Sequence, residues 1–179
     1  MSVILALIFR YSVVMSQIIV IAHNLRSSHN VGSLLRTAEG LGIQKIYLTG
    51  YTPYPKAKGD ARLPHLATKI DAQIHKTALG SEKYLDWQHS DDITAVINEL
   101  RGDKYQIVAL EQARDSIALA GFKAPPKLAL IIGREVEGIE PEVLELADTI
   151  VEIPMRGQKE SFNVVQAAAM VLYQLTNLA

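Results

Sequence analysis

IPMRGQKESFNVVQAAAMVLYQL, residues 153–175, reads as the end of a strand that breaks at Pro154 and Gly157 and re-enters order as a helix behind Ser161 and Asn163. A helix that starts behind Ser and Asn presents backbone amides with no partner in their own helix, and a polar or anionic ligand group can be held there. Val164 to Leu175 carries no charged residue and has small residues at Ala167, Ala168 and Ala169, which predicts a helix buried on most of its surface. The same pattern also fits an ordinary helix closing an α/β sheet. The rest of the chain has to decide between a site and a lid.

The composition favours a sheet of parallel strands. The 179 residues suit one domain, and they are rich in aliphatic side chains with only 6% aromatics. With no cysteine, disulfides and thiolate metal sites are excluded, and nothing points to secretion. The five histidines show no i,i+4 pair, so no metal is expected. A formal charge of −1 argues against a large nonspecific nucleic-acid surface, although a local basic patch would not show in the sum. No apolar run spans a bilayer, and a cytoplasmic location is expected. MSVILALIFRYSVV, residues 1–14, reads as an N-terminal extension, because Met15 looks like the more natural start of a single domain over 15–179.

Outward from the opening stretch, the order is regular at both ends. IIVIA, residues 18–22, is a buried strand leading through a polar turn that holds Arg26 into a helix from about His29 to Leu41. At 100° per residue, Val31, Leu34, Leu35, Ala38 and Leu41 share an arc, with Arg36 opposite. Gly32 and Gly40 flank Arg36 at four residues, which suggests a bare patch approached by a backbone or a ligand. A solvated surface arginine is the alternative. Lys45–Thr49 follows as a second strand.

Residues 51–90 show no long periodic segment and read as a working loop. In it Lys56, Lys58, Arg62 and Lys76 are interleaved with Tyr51, Tyr54, Tyr84 and Trp87, a combination suited to looped RNA. Asp60, Asp71, Glu82 and Asp86 dilute the signal, and a solvated excursion fits as well. A helix then starts at Asp91 or Asp92, followed by strands at 105–110, 128–132 and 150–153, with Pro141 opening a short helix. Alternating strands and helices predict a mostly parallel sheet flanked by helices, with a crevice at the strand carboxyl ends. Glu111, Gly133 and Met155 follow strand ends and are placed to line it. No GxGxxG follows the first strand, and neither GxxxxGK[ST] nor GxSxG occurs.

Three stretches together resemble, in order, the three motifs of the SPOUT methyltransferases of the SpoU/TrmH branch. They are Asn30-Val-Gly-Ser-Leu-Leu-Arg36-Thr-Ala, then Leu130-Ile-Ile-Gly133-Arg-Glu135-Val-Glu-Gly138-Ile, then Ile153-Pro-Met155-Arg-Gly157 with Ser161-Phe162-Asn163-Val164. The resemblance covers residues 18–178. It implies a deep trefoil knot in the C-terminal part of the sheet, S-adenosyl-L-methionine as cofactor, a homodimer, and methylation of a ribose 2′-hydroxyl in tRNA or rRNA, with tRNA favoured. A catalytically silent RNA-binding or assembly protein on the same fold is the alternative.

By the same resemblance Arg36 is the catalytic arginine, with Asn30, Glu135, Ser161 and Asn163 shaping the site. Gly133, Ile153 and Phe162 would hold the cofactor through their backbones, with Leu110, Glu111, Met155 and Ser161 as neighbours. Arg26, Lys56, Lys58, Arg62 and Lys76 are the candidates for RNA contact. One departure is visible: the family usually has Leu where this chain has Phe162, so a larger ring stands at the site.

Overall fold

The computed structural model describes residues 16–177. The extension expected over residues 1–14 lies outside them. Seven parallel strands form one sheet: β1 (Gln17–His23), β2 (Lys45–Thr49), β3 (Trp87–Ser90), β4 (Gln106–Leu110), β5 (Ile117–Ala118), β6 (Lys127–Ile132) and β7 (Thr149–Glu152). Their order is β3-β2-β1-β6-β4-β7-β5, so β4 lies between β6 and β7. Five helices cover the faces: α1 (Ser28–Gly40), α2 (Pro64–Ala78), α3 (Ile93–Gly102), α4 (Pro141–Leu144) and α5 (Val164–Asn177).

Alternation along β1 sorts the core into two layers. Ile18, Val20 and Ala22 pack with Leu34 and Leu35 of α1, Ile74 of α2 and Leu172 of α5. Ile19 and Ile21 face Ile97 and Leu100 of α3 and Val143 of α4. A strand buried on both faces needs a continuous apolar run, which is why IIVIA and LALII stand out in the sequence.

The long loop expected over residues 51–90 is mostly ordered structure instead. Pro64 sits in the first turn of the 15-residue α2, and the helix buries only Ala67, Ile74 and Ala78. So thin a stripe of small residues gives little periodic signal. Its small residues serve close packing. A Cβ on Gly32 would lie 2.2 Å from the Ile74 carbonyl oxygen and 2.2 Å from Thr77 Oγ1. Gly32 is therefore where the backbone of α2 approaches α1, and a Cβ at Gly40 would meet nothing.

The expectation that α5 is buried on most of its surface is also corrected. Val165, Ala168, Val171, Leu172 and Leu175 are buried, but Tyr173 is 57% and Met170 38% exposed. Successive residues on a helix point about 100° apart, so the three alanines do not share a face. Ala168 enters the core, Ala167 lines a cavity and Ala169 lines a shallow groove against α1.

Candidate active site

Three adjacent strands, β6, β4 and β7, end beside one another, and the cavity lies over their carboxyl ends, as crevices in parallel sheets do. Its volume is about 290 Å³. Gly133 follows β6, Leu110 and Glu111 close β4, and Ile153 follows β7; all four line it, with Glu135, Ser161 and Phe162. Met155 is not among the lining residues, so the structure does not bring it to the wall. Residues missed in sequence are Gln112, Glu152, Glu160, Val164 and Ala167, all immediate chain neighbours of expected positions or one helical turn on.

Glu111 shapes the floor. Its Oε2 accepts from the Ile139 N–H at 2.9 Å and its Oε1 from the Gln112 N–H at 2.9 Å. Gly138 turns beneath it at φ +72°, where a Cβ would lie 2.2 Å from Glu111 Oε2. Only glycine suits both the left-handed backbone and the contact. The loop from Arg134 to Gly138 closes on itself through the Arg134 N–H donating to the Gly138 carbonyl at 3.1 Å.

Glu135 on that loop joins the first and second motifs. Its Oε1 accepts from the Ser27 N–H at 3.1 Å and the Asn30 side-chain amide at 2.9 Å, and its Oε2 accepts from the Arg26 N–H at 3.1 Å. A carboxylate is thus held at the N-terminus of α1, where the dipole and free amides favour negative charge. Burial alone would raise this carboxyl, but the N–H donors from Arg26, Asn30 and Ser27 hold it below the usual carboxylate range.

The third motif joins through Asn163. Its Oδ1 accepts from the Val165 and Gln166 N–H groups at 3.0 and 3.3 Å, capping α5, and its Nδ2 donates to Asn30 Oδ1 at 3.5 Å. Asn30, Glu135 and Asn163 therefore form one hydrogen-bonded chain beside the cavity. Ser161 is exposed on the cavity wall.

Arg36 stands apart from this set. Its side chain is exposed and, among the described residues, makes no hydrogen bond or ion pair. With Thr37, Gly40 and Leu41 of α1 and Ala169, Met170 and Tyr173 of α5 it lines the shallow groove on the helical face. One chain thus divides the expected catalytic residues between the cavity and this groove.

The five candidate RNA contacts also separate. Arg26 donates to Glu137 Oε1 at 2.7 Å. Arg62 is built into its loop: Nε donates to Asp60 Oδ1 at 2.9 Å, Nη1 to the Tyr54 carbonyl at 3.0 Å, and the guanidinium lies 3.5 Å from the Tyr54 ring centre. The Arg62 guanidinium holds Asp60 well below the usual carboxylate range. Lys56, Lys58 and Lys76 are exposed. Among the described residues no group of three His, Asp or Glu could hold a metal, and no helix is long and apolar enough to cross a membrane.

Beside the cavity, at the carboxyl end of β1, lies a second polar cluster. His23 is 6% exposed; its Nδ1 is 2.9 Å from Thr49 Oγ1 and its Nε2 3.6 Å from Glu140 Oε2. Asn24 Nδ2 donates to Glu140 Oε1 at 2.8 Å, and Arg134 Nε lies 3.6 Å from the same oxygen. Burial lowers the pKa of His23 despite the Glu140 carboxylate.

Comparison with known proteins agrees with the motifs. A tRNA (guanosine(18)-2′-O)-methyltransferase of Aquifex aeolicus (strain VF5) is 29% identical over 157 residues, covering 88% of this chain and 67% of that protein. A crystal structure of a TrmH/SpoU tRNA modifying enzyme from A. aeolicus superposes with a TM-score of 0.73 at 26% identity, over 91% of this chain and 77% of the other. An AdoMet-bound rRNA methyltransferase from Sinorhizobium meliloti superposes with a TM-score of 0.77 at 22% identity, over 93% of this chain, and shares the fold. The chain spans only 60% of that last protein. The SpoU rRNA Methylase family matches residues 17–173, nearly all that the structure describes, and the chain belongs to that family.

Proposed function

We propose that the protein methylates a ribose 2′-hydroxyl in RNA, tRNA before rRNA, with S-adenosyl-L-methionine as methyl donor. The observation that carries the reading is the hydrogen-bonded convergence of Asn30, Glu135 and Asn163, from three distant motifs, beside one cavity. The lining fits that cofactor. Its floor includes the apolar Leu110, Ile153, Val164 and Ala167. Glu111, Glu135, Glu137, Glu152 and Glu160 are carboxylates against the single cation Arg134, which favours a sulfonium and repels a diphosphate.

The cofactor supplies the activated methyl, so the protein has to supply placement and charge. Glu135, held by three donors, fixes the start of α1 against the cavity loop. Asn163 fixes the start of α5 against Asn30. Arg36 remains a guanidinium at neutral pH and serves as a fork for an RNA phosphate and for the charge that grows on the ribose oxygen. The hydroxyl proton leaves to a neighbouring group or water as the oxygen–carbon bond forms and the carbon–sulfur bond breaks.

Because Arg36 lies on the α1/α5 groove, a second copy covering that groove would complete the site. The homodimer is therefore part of the reading, as are the family's knot around β4, β7 and α5, a single catalytic domain over residues 15–179 and a cytoplasmic location. Lys56, Lys58 and Lys76, with Arg26 at the rim, are the proposed phosphate contacts. Arg62 instead holds the loop that carries Lys56 and Lys58.

Calorimetric titration with S-adenosylmethionine and S-adenosylhomocysteine, followed by tritiated-methyl transfer into bulk tRNA and rRNA, tests this. Saturable binding with label at an alkali-resistant linkage is expected. Binding without transfer to either RNA would favour a silent RNA-binding protein, and no binding would overturn the reading.

A further inference from the structure

Most apolar side chains around the cavity belong to its floor. Leu110, Ile153 and Val164 are partly buried and pack against the core, whereas Val136 and Phe162 stand on the rim, 85% and 38% exposed. Phe162 is the one aromatic residue among those lining the cavity. It sits between Ser161, which lines the same wall, and Asn163, whose amide reaches Asn30 at the mouth of α1. The ring therefore stands on the side of the cavity that faces the first motif, away from the apolar floor.

We infer that the Phe162 ring is the stacking platform for the nucleobase of the methylated nucleotide, and so a specificity-determining residue of this chain. The inference rests on the methyltransferase reading above. A ribose presented to the cavity carries its base with it, and once unstacked from its neighbours that base needs a π-face. The rim is acidic and offers the base's sugar-phosphate backbone no cation except Arg134 and the paired Arg26. A flat apolar ring is the surface left to hold the nucleotide. Stacking tolerates any base, so the ring selects an extruded nucleotide and leaves the choice of base to polar neighbours.

The test compares wild type with Phe162→Ala, Phe162→Leu and Phe162→Tyr, measuring S-adenosylhomocysteine affinity by calorimetry and KM for bulk tRNA. Leu keeps the bulk, and Tyr keeps the π-face. The Ala and Leu variants are expected to bind S-adenosylhomocysteine as wild type does but to raise KM by about 5- to 150-fold, the strength of one base–aromatic stack, with Tyr restoring it. Cofactor affinity falling with KM unchanged would place the ring in the cofactor pocket and overturn the inference. So would a Leu variant equal to wild type in both measurements. A wild type that binds S-adenosylhomocysteine and labels no RNA would overturn the methyltransferase reading itself.

Discussion

Glu135 receives three donors, and two of them are backbone N–H groups at the start of α1. Replacing it with Ala leaves those donors without an acceptor, which costs about 1–3 kcal/mol. The expected result for Glu135→Ala is a lower urea midpoint with an unchanged m-value, together with weakened methyl transfer. Arg36 is the opposite case, exposed and unpaired among the described residues. Arg36→Lys keeps the charge but loses the planar fork, so turnover should fall by more than about tenfold while the thermal midpoint holds. A variant with near-wild-type turnover would rule out bidentate contact by this side chain.

Among the elements, the ends of β1 and the start of α4 are joined by His23, Asn24 and Glu140. The folded-state pKa of His23 lies below its ordinary 6.5. The unfolded chain therefore binds the extra proton more readily, and stability is full above that pH and declines as pH falls through it. The carboxyls of Glu135 and Glu140, both depressed, extend the loss at lower pH, below 4.5. Thermal midpoints from pH 8 to 5.5 should fall, and His23→Gln should flatten that slope.

Elements also mark what the sequence disclosed. Ile18–Ala22 and Leu128–Ile132 were legible because a doubly buried strand needs an unbroken apolar run. The helix α2 was not, since Ala67 and Ala78 bury well without registering as strongly apolar. Nor was β5, with only two residues. In the site, motif residues were readable because each follows a strand end or opens a helix. The bond from Asn163 to Asn30 crosses 133 positions, and no local pattern encodes it. Arg36 and its flanking glycines looked like one patch, but Gly32 belongs to the contact with α2 and only Gly40 shares the groove with Arg36.

For the whole molecule, the groove of Leu41, Ala169, Met170 and Tyr173 is the largest consequence of leaving one face of α5 open. If a second copy covers it, Tyr173→Glu should give a monomer by light scattering. That variant should keep S-adenosylhomocysteine binding in the cavity and lose methyl transfer, because Arg36 would no longer be presented to a complete site.

The strand order also sets a timetable. β1 is flanked by β2 and by β6, and its partner Lys127 is made about 110 residues after Gln17. At roughly 5–20 residues per second, a ribosome needs about 5–20 s to deliver that strand. Throughout that interval the nascent chain carries Ile18 to Ala22 with one edge open. The most apolar strand of the N-terminal half is thus also the one that waits, and this sheet depends during synthesis on whatever shields an unpaired edge.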